Sequence, residues 1–273
     1  MEHITSRRNE TVRAAAELRR APARKQQNAF LCEGARLCAD AASSGIRILS
    51  LFYTQNSAQK YTAYLQKIRL HVLEEEYLLE PSVAEILADT KNSQEIFCVC
   101  EIPQTARITA QQFLQQPAKG CCLALEQLQD PSNLGTVLRT AEALGIETIL
   151  LCGECCDPFS PKALRGEMGA AFRLSLVRLP LLAEALPQLQ RAGWRTLAAV
   201  PDASAAKITE TTFDVPTILA VGNEGNGLQQ ETIDACSGRV TIPMQGRAES
   251  LNASASAAIL MWEMVRGNGD KNG

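Results

Sequence analysis

The sequence predicts an α/β protein of two units, a smaller N-terminal one and a C-terminal one built on a parallel sheet. Four runs in the second half, Cys121 to Leu125, Thr148 to Cys152, Thr196 to Val200 and Thr217 to Val221, are almost uniformly apolar. Helical segments separate them, and strands covered on both faces of a parallel sheet read this way. A Gln-rich stretch bracketed by Pro103 and Pro117 shows no long hydrophobic period and reads as a linker over 104–119. With 273 residues, each flanking unit, 1–103 and 120–273, is long enough to bury its own core.

In the first unit, Asn9 is a plausible N-cap. The run TVRAAAELRRA after it places Val12, Ala15, Ala16 and Leu18 on one side and arginines elsewhere, a basic amphipathic helix that Pro22 closes. Phe30 to Cys32 reads as a strand, Gly34 to Ser43 as a helix, Ile48 to Tyr53 as a strand and Ala58 to Ile68 as a helix. Val83 to Ala88 and the strand Ile96 to Glu101 complete the unit.

The hydrophobic fraction of 46% with 21% charged residues suits a globular chain with little room for long disorder. The opening MEHITSRRNE has no apolar core for a signal peptide, and the apolar stretch Ala253 to Val265 is short and carries Glu263, so no membrane insertion is expected. The ten cysteines lie in strand-like runs (Cys98, Cys100, Cys121, Cys122) or as the adjacent pair Cys155 and Cys156, a usage that suits a reducing cytoplasm. Cys152 and Cys155 form one CxxC, but no second pair exists, and the two histidines, His3 and His71, are far off in sequence. A metal centre or a His-based mechanism is therefore not expected, and any catalyst must come from other side chains.

The net charge of −3 does not advertise a nucleic-acid partner, but the local distribution does more. Residues 1–36 hold eight basic groups, Arg7, Arg8, Arg13, Arg19, Arg20, Arg24, Lys25 and Arg36, against four acidic ones. A solvated helix face and a phosphate-binding face both fit this pattern.

Three segments of the second unit carry chemistry. In LEQLQDPSNLGTVLRTAEALGIETILL a strand, a polar turn and a helix place Asn133 and Gly135 at the helix start and Arg139 about one and a half turns on, near the carboxyl edge of the sheet. A plain N-cap with a surface arginine is the structural alternative. In ILAVGNEGNGL an apolar strand runs into a turn with Gly222, Gly225 and Gly227, where backbone can approach a ligand. A dinucleotide loop competes, but the spacing is not GxGxxG and Glu224 would repel a pyrophosphate. In VTIPMQGRAESLNASASAAILMWEMV a strand ending at Ile242 and a turn through Pro243 precede a helix whose first residues, Ala253 to Ala257, are small enough for close approach. A tightly packed helix without a ligand fits that segment as well.

Together the segments resemble the SpoU (TrmH-like) branch of the SPOUT RNA methyltransferases. Asn133, Gly135 and Arg139 match the first motif, NxGxxxR; Gly222, Asn223, Glu224, Gly225, Gly227 and Leu228 match the second. Ile242, Pro243, Met244, Ser250, Leu251 and Asn252 match the third, and the order over 121–266 is that of the family. TVRAAAELRR and FLCEGARL look like the ribosomal-protein-like RNA-binding domain that many members carry. Two departures stand out: Glu167 replaces a common serine in what the resemblance makes an RNA-facing loop, and Ala253 replaces a more usual valine.

The resemblance implies a trefoil-knotted C-terminal domain, an exception to the rule that chains do not thread loops, and transfer of a methyl group from S-adenosyl-L-methionine to a ribose 2′-hydroxyl. The cofactor residues it implies are Gly222, Asn223, Gly225, Ile242, Met244, Leu251 and Ala253, contacting largely through backbone. Arg139 would activate or position the hydroxyl, with Asn133, Glu224 and Asn252 holding the arrangement by hydrogen bonds; the second role suits a guanidinium that stays protonated far above neutral pH. Arg7, Arg8, Arg13, Arg19, Arg20, Arg24 and Lys25 would face RNA, ribosomal RNA rather than transfer RNA. Sites would lie at a homodimer interface, so that a monomer is inactive. An inactive RNA-binding protein should have lost Arg139 or the glycine turn, and both are present. A nicotinamide oxidoreductase would need a glycine fingerprint after an early strand and an acidic partner about twenty residues on, and neither is seen.

Overall fold

A computed structural model describes residues 2–71, 73–247 and 250–266. In chain order the first elements are β1 (Glu2–Ile4), α1 (Glu10–Glu17), α2 (Ala21–Gln27), β2 (Ala29–Glu33), α3 (Ala35–Ser43) and β3 (Ile48–Thr54). There follow α4 (Gln55–Lys60), α5 (Thr62–Arg69), β4 (Leu73–Leu79), α6 (Pro81–Leu87) and β5 (Ile96–Glu101). Next come β6 (Ile108–Thr109), α7 (Ala110–Leu114), β7 (Cys121–Glu126), α8 (Pro131–Ala143), β8 (Thr148–Cys152), α9 (Pro161–Glu167) and β9 (Ser175–Leu179). The last are α10 (Leu182–Arg191), β10 (Arg195–Ala199), β11 (Ala206–Lys207), β12 (Thr217–Val221), α11 (Gln230–Ala235), β13 (Gly238–Thr241) and α12 (Ala253–Arg266).

The chain forms two compact units: one runs to Gln104 and includes Asp157–Phe172, the other takes Thr105–Cys156 and the chain from Arg173. The first has a five-stranded sheet ordered β1-β4-β3-β5-β2, with β1 and β3 parallel to β4 and with β5 antiparallel to both β3 and β2. One face buries Val12 and Leu18 of the α1 segment and Val83 and Leu87 of α6 against Phe52, Leu79 and Phe97. As expected, the Asn9 side chain caps α1 by accepting from the Val12 N–H at 3.1 Å. Pro22, expected to close a helix, instead opens α2, because its fixed φ suits a first turn and its missing N–H would have had no partner there.

The excursion Asp157–Phe172 belongs with this unit because it supplies core to it. The Phe30 ring lies 4.8 Å from that of Phe159 and 5.7 Å from that of Phe172. Glu167, expected on an RNA-facing loop, is fully buried at the end of α9.

The second unit has an eight-stranded sheet, ordered β11-β13-β10-β12-β7-β8-β9-β6, and every pairing is parallel, as the apolar runs predict. The stretch read as linker is not free chain. Ile108–Thr109 pairs with Val177–Arg178 at the sheet edge, the Thr109 and Gln112 side chains form a capping box for α7, and Phe113 is buried 5.9 Å from the Trp194 ring. One helical turn and two strand residues are too short to register as a period.

The chain passes from β7 through β8 to β9 on one side of the sheet and returns to place β12 against the other side of β7. Open parallel sheets bind ligands beyond the carboxyl ends of strands where the order reverses in this way.

Candidate active site

The cavity of the second unit opens beyond the carboxyl ends of β10, β12 and β13, to one side of that reversal. Ala199 to Pro201 after β10, Val221 to Leu228 after β12 and Val240 to Ile242 at the end of β13 form its walls, with Met244, Ser250, Leu251, Ala253, Ser256 and Leu260. Its volume is about 330 Å³, within the roughly 300–1,000 Å³ of small-molecule sites. All seven residues expected to hold a cofactor, Gly222, Asn223, Gly225, Ile242, Met244, Leu251 and Ala253, line it.

The glycine turn is built from its own backbone. Asn223 N–H donates to the Gly227 carbonyl and Gly227 N–H to the Asn223 carbonyl, each at 3.0 Å. The Asn223 side-chain oxygen accepts from Gly225 N–H at 2.8 Å, and its amide nitrogen donates to the Gln127 carbonyl at 2.8 Å. A Cβ on Gly222 would lie 2.0 Å from the Gly227 carbonyl carbon and 2.1 Å from the Leu228 nitrogen, so the turn closes only over a glycine.

One hydrogen-bonded chain joins the three segments singled out in the sequence. The Glu224 carboxylate accepts from the Asn133 amide at 2.9 Å, and the Asn133 oxygen accepts from the Asn252 amide at 3.1 Å. Asn252 also caps α12, accepting from Ser254 N–H at 2.9 Å and from its hydroxyl at 2.6 Å. Asn133 is not itself a helix cap: Asp130 holds that place, accepting from Ser132 N–H at 2.8 Å, and Pro131 starts α8. Asn133 therefore has both ends of its amide available for the network.

Arg139 does not line the cavity. It lies on the exposed side of α8 with Thr136 and Ala143, and its side chain makes no hydrogen bond or ion pair among the described residues. Cys155, half of the CxxC, donates to the Leu125 and Cys152 carbonyls at 3.2 and 3.4 Å. Burial pushes the thiols of both Cys152 and Cys155 up, so neither is a ready thiolate. Among the described residues no three His, Cys, Asp or Glu side chains converge on a metal position, and no helix is long and apolar enough to cross a membrane.

In the N-terminal unit the basic residues separate into two sets. Arg8, Arg13, Lys25 and also Arg36 are exposed and, among the described residues, unpaired, whereas Arg7 and Arg20 are exposed but paired with Glu85 and Glu17. Arg19 is half-buried and donates to the Ala88 carbonyl at 3.0 Å. Arg24 corrects the expectation of an RNA contact: it is 3% exposed and donates to the Asp157 carboxylate at 2.7 Å and to the Leu18 and Arg19 carbonyls at 2.9 and 2.8 Å. A buried guanidinium is tolerated only when it is paired, and burial beside Asp157 keeps Arg24 from reaching a phosphate.

Sequence reasoning missed Ala199 to Pro201, which form a wall of the cavity, and the turn at the end of β7. An apolar run ending in a proline beside the glycine strand is the signal that could have found the first. Nothing in the sequence marks the second.

Residues 120–262 match the SpoU rRNA Methylase family, and residues 9–98 match the MRM3-like substrate binding domain. The chain belongs to the SpoU rRNA methylase family. An uncharacterized tRNA/rRNA methyltransferase of Synechocystis is 32% identical to this family member, over 96% of this chain and 93% of that one. The 23S rRNA (guanosine-2′-O)-methyltransferase RlmP of Bacillus subtilis is 29% identical, over 97% and 99%. Among solved structures, the AdoMet-bound rRNA methyltransferase of Sinorhizobium meliloti superposes with a TM-score of 0.80 at 27% identity, covering 97% of each chain.

Proposed function

We propose that this SpoU family member methylates a ribose 2′-hydroxyl of ribosomal RNA with S-adenosyl-L-methionine, as a cytoplasmic homodimer with a trefoil-knotted C-terminal domain. The observation that carries the reading is the convergence of both cofactor motifs on one cavity, tied to the Asn133 segment through Glu224 and Asn252. The residues present fit the cofactor. Backbone groups of a turn that no side chain can occupy at Gly222 face a space lined by Val221, Leu228, Ile242 and Leu251, which suits a nucleoside with a polar edge and an apolar face.

When bound, S-adenosyl-L-methionine supplies a sulfonium methyl group open to attack by a ribose oxygen. The protein's part is then mainly positioning. The exposed guanidinium of Arg139 holds the 2′-hydroxyl and a neighbouring phosphate as a hydrogen-bond donor, and the hydroxyl proton leaves to solvent. The Glu224–Asn133–Asn252 chain fixes the start of α8 relative to the cofactor turn.

Two features support the homodimer. Ala255, Ile259 and Trp262 form an exposed stripe on α12, with Ile259 40% and Trp262 55% exposed, and α12 packs beside the helix that carries Arg139. A lone arginine outside the cavity also suits a site completed by a second copy. The exposed Arg8, Arg13 and Lys25 support RNA contact by the first unit, and the substrate-binding match and the rRNA named for the Bacillus relative favour ribosomal over transfer RNA. That no disulfide joins the cysteines among the described residues supports a reducing compartment.

Mapping ribose methylations in total RNA with and without the protein tests the whole reading. Loss of one 2′-O-methyl mark in ribosomal RNA is expected; an unchanged ribosomal map with a lost mark in transfer RNA would overturn the choice of RNA.

A further inference from the structure

Glu126 ends β7 with a charged side chain in a strand that is otherwise apolar, and it is 3% exposed. One carboxylate oxygen accepts from the Gln229 N–H at 2.8 Å and the other from the hydroxyl of fully buried Thr232 at 2.6 Å. A buried carboxylate is stable only when its oxygens are satisfied, and both of its partners here lie on the segment that leaves the glycine turn.

The next residue grips the other end of the same segment. Gln127 adopts a left-handed φ of 55°, which a residue with a Cβ takes only where its surroundings impose it, and its carbonyl accepts the Asn223 side chain. Two successive residues at the end of β7 therefore hold the stretch from Asn223 to Thr232 at both ends. Gly225, Gly227 and Leu228 lie between those anchors and line the cavity, and Ile233 lines it just beyond them, while Glu126 does not reach it. A turn rich in glycine has more conformations to lose than most, and ordering it at the moment of binding would weaken affinity.

We propose that Glu126 is a positioning residue for the methyl-donor site: its carboxylate sets the glycine turn in its binding conformation before the cofactor arrives, without touching it. This rests on reading the cavity as the S-adenosyl-L-methionine site. A glutamine in its place keeps one oxygen for the Gln229 N–H but can meet Thr232 only by donating its amide to the hydroxyl, so the charge-assisted bond from Thr232 is lost. Loss of one charge-assisted hydrogen bond corresponds to a change of roughly tenfold to a hundredfold in affinity.

The test uses the full-length protein, with S-adenosyl-L-methionine affinity measured by calorimetry and KM and kcat measured on RNA. Glu126→Gln is expected to raise both Kd and KM for S-adenosyl-L-methionine by roughly tenfold to a hundredfold, with kcat at saturating cofactor retained. Thr232→Val should do the same, Thr232→Ser should recover most of the affinity, and the double variant should be no worse than the worse single one, since the two share one bond. Native affinity in Thr232→Val, or a fall in kcat with KM unchanged, overturns the positioning role even if Glu126→Gln fails to fold. A native protein that binds no S-adenosyl-L-methionine overturns the cofactor reading and this proposal with it.

Discussion

Replacing Gly222 by alanine puts one methyl group where the backbone of the same turn already stands. The added carbon would lie 2.0 Å from the Gly227 carbonyl carbon, 2.1 Å from the Leu228 nitrogen and 2.3 Å from the Gly227 oxygen, whereas ordinary contact begins at 3.4 Å. Relief needs a separation larger by 3.4 − 2.0 = 1.4 Å between two backbone segments, and no side chain can swing away to provide it. Overpacking of this kind costs about 1–3 kcal/mol, which at roughly 2–4 °C per kcal/mol for a unit of this size is visible in a melting curve. The displaced residues line the cavity, so S-adenosyl-L-methionine affinity should fall roughly tenfold to a hundredfold as well, at about tenfold per 1.4 kcal/mol. Gly227→Ala is the control: at φ 68° it meets nothing within 4 Å, and it should cost only the left-handed backbone penalty of about 1–2 kcal/mol. Calorimetry and thermal unfolding on both variants decide it. Native cofactor affinity in a folded Gly222→Ala protein would refute the reasoning, because the turn could then not be the wall of the site.

Arg139→Ala should leave S-adenosyl-L-methionine affinity nearly unchanged and lower methyl transfer by roughly a hundredfold or more; equal loss of binding and turnover in the paired assays would make Arg139 structural. Arg24→Ala removes one partner of a buried pair and should destabilise the protein by about 3 kcal/mol or more in denaturant unfolding, whereas Arg13→Ala should leave stability unchanged, weaken RNA binding and lower its salt slope by about one. Trp262→Glu combined with Ile259→Glu should weaken self-association by about 2 kcal/mol or more; sedimentation showing an undisturbed dimer would place the interface elsewhere.

Much of the second unit could be read in advance because its strands are buried on both sides. Thr148–Cys152 and Thr217–Val221 begin and end where their apolar runs do, and Cys121 starts both the run and the strand. The motif residues were legible because each has a rigid chemical demand: no Cβ at Gly222, an amide with both ends in use at Asn133. The unread elements are those whose signal is short or mixed. β4 reads LEEEYLL, and its run of glutamates hides a strand that pairs on both sides with β1 and β3. Arg24 misled because sequence shows charge but not burial, and its partner Asp157 is 133 residues away. The roles of Glu126 and Gln127 were invisible for the same reason, since both act through a turn about a hundred residues further along the chain.

The excursion from Asp157 to Phe172 bears on how this architecture can be inherited and cut. Because those residues return to the first unit, the chain crosses between units three times, at 104/105, 156/157 and 172/173. No single cleavage or gene fusion point can then separate the whole first unit from the whole second one. A fragment starting after the predicted linker would carry Phe159 and Phe172, both buried in the complete protein, without the Phe30 ring they pack against. Such a fragment exposes an apolar patch of the kind that drives aggregation. A lineage exchanging the first unit by recombination would have to exchange two stretches at once, which favours change by substitution within it over replacement of it.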